Sequence, residues 1–71
     1  MNADMIYDNN RECWMMERNG RTFNLHCGEC FELIIGNSKM PCRLELDNQW
    51  YVIIHESRFN LRVREVYKIV I

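Results

Sequence analysis

Leu25-His26-Cys27-Gly28-Glu29-Cys30 reads in two ways, as half of a zinc site or as a tight turn opening a β-hairpin. The first makes a metal the organiser of the fold, and the second leaves that role to an apolar core. Cys27-x-x-Cys30 has the spacing of a zinc knuckle, and His26, Cys13, Cys42 and His55 are the side chains that would complete four ligands. Two such pairs would be a strong signal, and only one is present. Cys42 has the alternation of a core-facing strand residue, and free cysteine is among the most buried residue types. The turn is therefore the favoured reading, with buried or half-buried thiols around Gly28 and no cofactor. A redox role would need a strand–helix unit to depress a thiol pKa, and no such unit is visible.

Outward from this turn, strand signals dominate. Cys13 to Arg18 leads through Asn19-Gly20 into Arg21 to Leu25, and Asn-Gly between two such runs marks a hairpin. Cys30 to Ile35 closes on Gly36-Asn37. Met40 to Leu46 alternates: Met40, Cys42, Leu44 and Leu46 share one face, with Pro41, Arg43 and Glu45 on the other. Asp47-Asn48 turns the chain into Gln49 to His55, where Trp50, Val52 and Ile54 share the apolar phase and Tyr51 lies opposite. Leu61 to Ile71 reads as a final strand with a bulge near Arg64-Glu65, where the alternation slips by one residue.

These segments predict an all-β fold of five to six short strands, an SH3-like or related small barrel or a strongly bent antiparallel sheet. Closure would remove the edges that invite aggregation. Residues 1–10, rich in Asn and Asp, are expected to form a flexible N-terminus ahead of a single β domain over 11–71. No linker, internal repeat or low-complexity run stands out.

The bulk numbers set limits. Seventy-one residues make one domain, and 48% apolar residues suffice for a core without disulfides. The first dozen residues lack an apolar signal region, and no apolar run approaches the roughly 18 residues that cross a bilayer. The expected location is cytoplasmic, with reduced thiols. A net charge of −1 disfavours unspecific phosphate binding as the main activity.

No nucleophile, base and orienting group can be assembled with any specificity, and no phosphate-binding glycine loop is present. The expectation is a binding module, not an enzyme. Its candidate contact residues are Arg43, Glu45, Tyr51, Arg62 and Arg64, because exposed arginine beside aromatic rings is typical of interface hot spots. The competing reading engages the Arg43–Glu45 and Arg62–Arg64 segments in ordinary cross-strand ion pairs on a solvated face. The expected partner is a protein, with nucleic acid the alternative and no membrane. The apolar Tyr67-Lys68-Ile69-Val70-Ile71 either pairs within the domain or offers an edge for a homodimer.

Four motifs in order carry a family resemblance: Leu25-His26-Cys27-Gly28-Glu29, Pro41-Cys42-Arg43-Leu44-Glu45, Trp50-Tyr51 and Leu61-Arg62-Val63-Arg64. The chain resembles a family of short, uncharacterised Firmicutes proteins with Leu-x-Cys-Gly-acid, Pro-x-Arg-hydrophobic-Glu, Trp-Tyr and Arg-Val-Arg segments. Its members look like cargo of plasmids, conjugative elements and phages. The resemblance implies an accessory or counter-defence protein and brings no catalytic residue.

Overall fold

The computed structural model describes all 71 residues. Eight antiparallel strands form one sheet: β1 (Asn2–Asp8), β2 (Cys13–Arg18), β3 (Arg21–Asn24), β4 (Cys30–Ile35), β5 (Ser38–Leu46), β6 (Trp50–Ile54), β7 (Ser57–Asn60) and β8 (Tyr67–Val70). Their order across the sheet is β3-β2-β1-β8-β4-β5-β6-β7. The fold is all-β and antiparallel as expected. It has more strands than the five to six read from the sequence, and it is not closed into an SH3-like barrel, because β3 and β7 remain open edges.

One face of the sheet makes the core. Ala3, Met5, Trp14, Phe31, Leu33, Cys42, Leu44, Val52, Ile54 and Ile69 join Leu25 in a single buried cluster. Trp14, Met5, Leu44, Ile69 and Val52 have almost no exposed surface, and the molecule is one sheet with no second layer to cover them. The sheet must curl over its own apolar face. Trp14 sits at the centre, fully buried, with Tyr7 and Tyr67 edge-on at ring separations of 5.4 and 5.6 Å. Its indole N–H has no acceptor, a cost of about 1–3 kcal/mol that the surrounding aromatic packing must outweigh.

Two further expectations need correction. Residues 1–10, read as a flexible arm, hold β1 in the middle of the sheet; Asp4 and Asp8 gave a polar look to a strand whose alternate residues Ala3 and Met5 are core. Residues 61–66, read as part of a long final strand, form a loop. The bulge expected at Arg64-Glu65 is a tight turn in which the Glu65 N–H donates to the Arg62 carbonyl at 3.0 Å. β8 is then paired on both sides, by β1 and β4, so the C-terminal strand has no free edge for a second copy.

The structure also reveals an internal repeat that the sequence reading missed. Trp14 to Ile35 matches Trp50 to Ile71 at constant spacing: Phe23-Asn24-Leu25 recurs as Phe59-Asn60-Leu61, Glu29 as Glu65 and Ile35 as Ile71. β2, β3 and β4 thus correspond to β6, β7 and β8. In each half the leucine N–H after the edge strand donates to the tryptophan carbonyl, Leu25 to Trp14 and Leu61 to Trp50, both at 2.9 Å. Exchanging the halves reverses the strand order onto itself. The pseudo-two-fold axis passes through the paired counterparts Leu33 and Ile69. β1 and β5 correspond more loosely. β5 has nine residues against seven, and its pairing with β4 is displaced by two residues relative to β1 with β8, which keeps every side chain on its face.

The repeat makes two predictions. The Met1 and Ile71 backbones bond each other in both directions, at 3.1 and 3.0 Å, in the place that the Gly36-Asn37 turn occupies in the other half. A circular permutant joined through Gly-Asn and opened between Gly36 and Asn37 is expected to keep its stability within about 1 kcal/mol, since loop-closure terms change little. A urea melt checks this.

The second concerns the β6–β7 turn. Asn19-Gly20 has φ of 52° and 76°, the positive pair a type I′ turn requires, and its counterpart His55-Glu56 adopts 48° and 66° without a glycine. Left-handed backbone costs an L-residue roughly 1–2 kcal/mol. H55N/E56G, which copies the first hairpin, should therefore stabilise the fold by about 1–2 kcal/mol, read as a higher denaturation midpoint at unchanged m-value.

Candidate functional site

The proposed contact residues fall into two groups. Arg43, Glu45 and Tyr51 lie on the outer face of the second half: Glu45 pairs Tyr51 across β5 and β6, and Arg43 pairs Ile53. Here the ion-pair reading fits the geometry, although along one strand and not across two. The Arg43 Nε donates to Glu45 Oε2 at 2.6 Å.

Tyr51 is also engaged. The Arg58 guanidinium lies 3.8 Å above its ring centroid, a cation–π contact. Arg58 also donates to both Asp47 oxygens, at 2.6 and 2.9 Å, and to Asn60 Oδ1 at 2.8 Å. The first half carries the same clasp with different parts. Arg11 donates to Asn24 Oδ1 at 3.3 Å and lies 3.8 Å from Asp8. Asp47 and Asp8 each accept a backbone N–H from two residues on, Gln49 at 3.0 Å and Asn10 at 2.9 Å. The second clasp spans the outer-face residue after the tryptophan, Tyr51. Arg58 and Asp47 therefore do structural work that the sequence did not disclose.

The Arg58 partnership holds the Asp47 carboxyl well below its ordinary value of 3.8. A lowered native pKa favours the fold above the unfolded value and loses that favour as pH falls through the native one. Stability should decline below about pH 4, and Asp47→Asn should flatten that part of the curve. Because both groups are exposed, 0.5 M salt should weaken the effect. Urea melts between pH 2 and 6 test it.

Arg62 and Arg64 belong to the second group. They sit on the β7–β8 loop, and their guanidinium groups form no ion pair and no hydrogen bond. The loop itself is held firmly. The Leu61 N–H donates to Trp50, the Arg62 N–H to the Tyr67 hydroxyl at 2.8 Å, and the Glu65 N–H to Arg62. Val63 and Val66, beside the arginines, stay 48% and 56% exposed. Arg62 and Val63 also wall a groove whose other side carries Tyr7 and Trp50. Trp50, read as core, is half-buried: it packs against the core cluster and borders this groove.

A second unpaired basic group was missed in the sequence. Arg18 and Arg21 face each other across the first hairpin with no acid partner, beside Phe23, which is 49% exposed. Arg-Asn-Gly-Arg carries that signal, since a two-residue turn puts its flanking residues directly opposite.

The thiols divide as well. Cys42 is in the core, and burial, with a smaller push from Cys30, raises its pKa to about 11, so it is neutral and unfit as a ligand or nucleophile at pH 7. Cys27 and Cys30 are exposed, contrary to the expectation of buried or half-buried thiols around Gly28. No three His, Cys, Asp or Glu side chains of the chain converge into a metal-binding group, so Cys13, Cys42 and His55 do not complete a site with Cys27 and Cys30.

Fold and surface together define a small open-sheet domain with a firmly held basic loop. Residues 3–71 match the family described as a domain of unknown function, DUF5348, and the chain belongs to that family. A crystal structure of a Ruminococcus gnavus protein, a structural genomics target, is similar at a TM-score of 0.82 and 20% identity over 100% of both chains, a likeness of fold. Comparison with curated proteins gives no match. No helix is long and apolar enough to cross a membrane.

Proposed function

We propose that the protein is a non-enzymatic binding module whose partner is another protein, engaged through the loop Arg62-Val63-Arg64-Glu65-Val66. The observation that carries this reading is the pair of unengaged arginines on a hydrogen-bonded loop beside exposed valines and the Tyr7–Trp50 groove. A preordered loop loses little entropy on docking, and arginine with aromatic rings supplies anchors. Arg43, Glu45 and Tyr51 contribute a rim, since their partners within the chain already occupy them. The family resemblance adds a context, an accessory or counter-defence role on a bacterial mobile element or phage.

Nucleic acid is the second reading, favoured by the Arg18–Arg21 pair as another unneutralised basic patch. A salt series separates the two. Complexes recovered from host lysate should survive from 50 to 200 mM salt if a desolvated protein interface holds them, whereas a complex resting on several phosphate contacts loses orders of magnitude in affinity over that range. Steep salt loss with nucleic acid in the eluate would overturn the protein reading.

A further inference from the structure

The repeat supplies an internal control for the Cys27–Cys30 turn. His26-Cys27-Gly28-Glu29 corresponds to Arg62-Val63-Arg64-Glu65, and both turns close with the same bond, Glu29 N–H to His26 at 3.1 Å and Glu65 N–H to Arg62 at 3.0 Å. The second turn achieves this with Val63 and Val66 where the first has Cys27 and Cys30. The fold therefore does not demand thiols at these places. Nor are they there for burial, because every residue from His26 to Cys30 is exposed, against the strong tendency of free cysteine to be inside.

We propose that Cys27 and Cys30 are half of a zinc site, completed by Cys27 and Cys30 of a second copy of this chain. A structural zinc ion takes four ligands in a tetrahedron. One chain offers two thiols here and no third group converges on them, so a second copy related by a two-fold axis is the simplest source of the rest. The turn is pre-ordered for the task. The Gly28 N–H donates to Leu44 at 2.7 Å, the Leu44 N–H to Glu29 at 2.9 Å, and the His26 N–H to the Glu29 carboxylate at 2.8 Å. Gly28, at φ 91° with open space around it, supplies the left-handed backbone of the turn, and the Cys30 thiol donates back into it, to the Gly28 carbonyl at 3.8 Å.

Four thiolates around one Zn²⁺ carry a net −2. Each thiol releases its proton on binding, four per zinc, and no redox step is involved. This inference is independent of the protein-binding reading above, since it uses the other repeat's loop.

The test is native mass spectrometry of the full-length, reduced, chelator-treated protein titrated with zinc chloride. The expected species is two chains with one zinc, a mass gain of one Zn²⁺ less the two protons whose charge it replaces. C27V and C30V, which copy Val63 and Val66, are expected to stay monomeric with zinc, whereas C13S should dimerise like the parent. One chain with zinc and no dimer, dimers that C27V and C30V leave intact, or no retained zinc would each overturn the proposal. Should the valine variants fold poorly, alkylation of the parent protein decides: zinc should shield Cys27 and Cys30 from iodoacetamide while Cys13 stays as reactive as without metal, and unshielded Cys27 and Cys30 would overturn it.

Discussion

Leu44→Ala is expected to lower the unfolding free energy by about 3–5 kcal/mol. A 71-residue domain holds only about 4–10 kcal/mol in total, so this one truncation should remove a third or more of it. Leu44 has no exposed surface, pairs Val52 on β6, and its backbone anchors the Cys27–Cys30 turn in both directions. The surrounding side chains come from both repeats, so collapse into the cavity would require both halves of the curled sheet to move. Leu46, on the same face but 46% exposed at the strand end, is the control: Leu46→Ala should cost about 1 kcal/mol or less. Urea melts of the two variants measure the difference. Equal costs would mean that the core does not end where the sheet's curl places it.

R62A/R64A is expected to weaken partner binding by at least about 100-fold, since anchoring arginines commonly cost 2 kcal/mol or more each when truncated. The same pair should leave stability within about 0.5 kcal/mol, because neither guanidinium has a partner to lose. R43A/Y51A should behave the other way. It breaks the contact with Glu45 and the stacking under Arg58, so it should lower stability measurably and reduce binding only modestly. Affinity and melting midpoint, measured side by side on both variants, separate a binding role from a folding role without further assumption.

Much of the sheet was legible in the sequence where turns carry their own chemistry. Asn19-Gly20 and Gly36-Asn37 mark hairpins because their backbone requirements are met by few residues, and the period-2 alternation of Met40 to Leu46 assigns its core face. His55-Glu56 carries no such mark, so β7 went unread: a type I′ turn made of two ordinary residues cannot be told from a strand. β1 was hidden by its aspartates, which face outward and pair there, Asp4 with Lys68 at 2.6 Å. The loop at 61–66 looked like a strand because valines favour strands, and only the pairing of β8 with both β1 and β4 shows that the chain must turn there.

The repeat was harder still. Its shared residues, Trp, Phe-Asn-Leu, Glu and Ile, are the ones that hold the frame, and the positions between them have diverged. The candidate site was legible only as a set of residue types. Which arginines are engaged depends on partners brought together by register, as Asp47 is to Arg58, and that is set by the fold and not by spacing along the chain.

Site-specific photo-crosslinking in host cells, with a benzophenone side chain at Val63 and, as control, at Lys39, tests the proposed contact loop Arg62–Val66. One protein adduct is expected from position 63, none from position 39, and loss of the adduct when R62A/R64A is introduced. An adduct from position 39 alone, or one that survives R62A/R64A, or nucleic acid in place of protein, would contradict it.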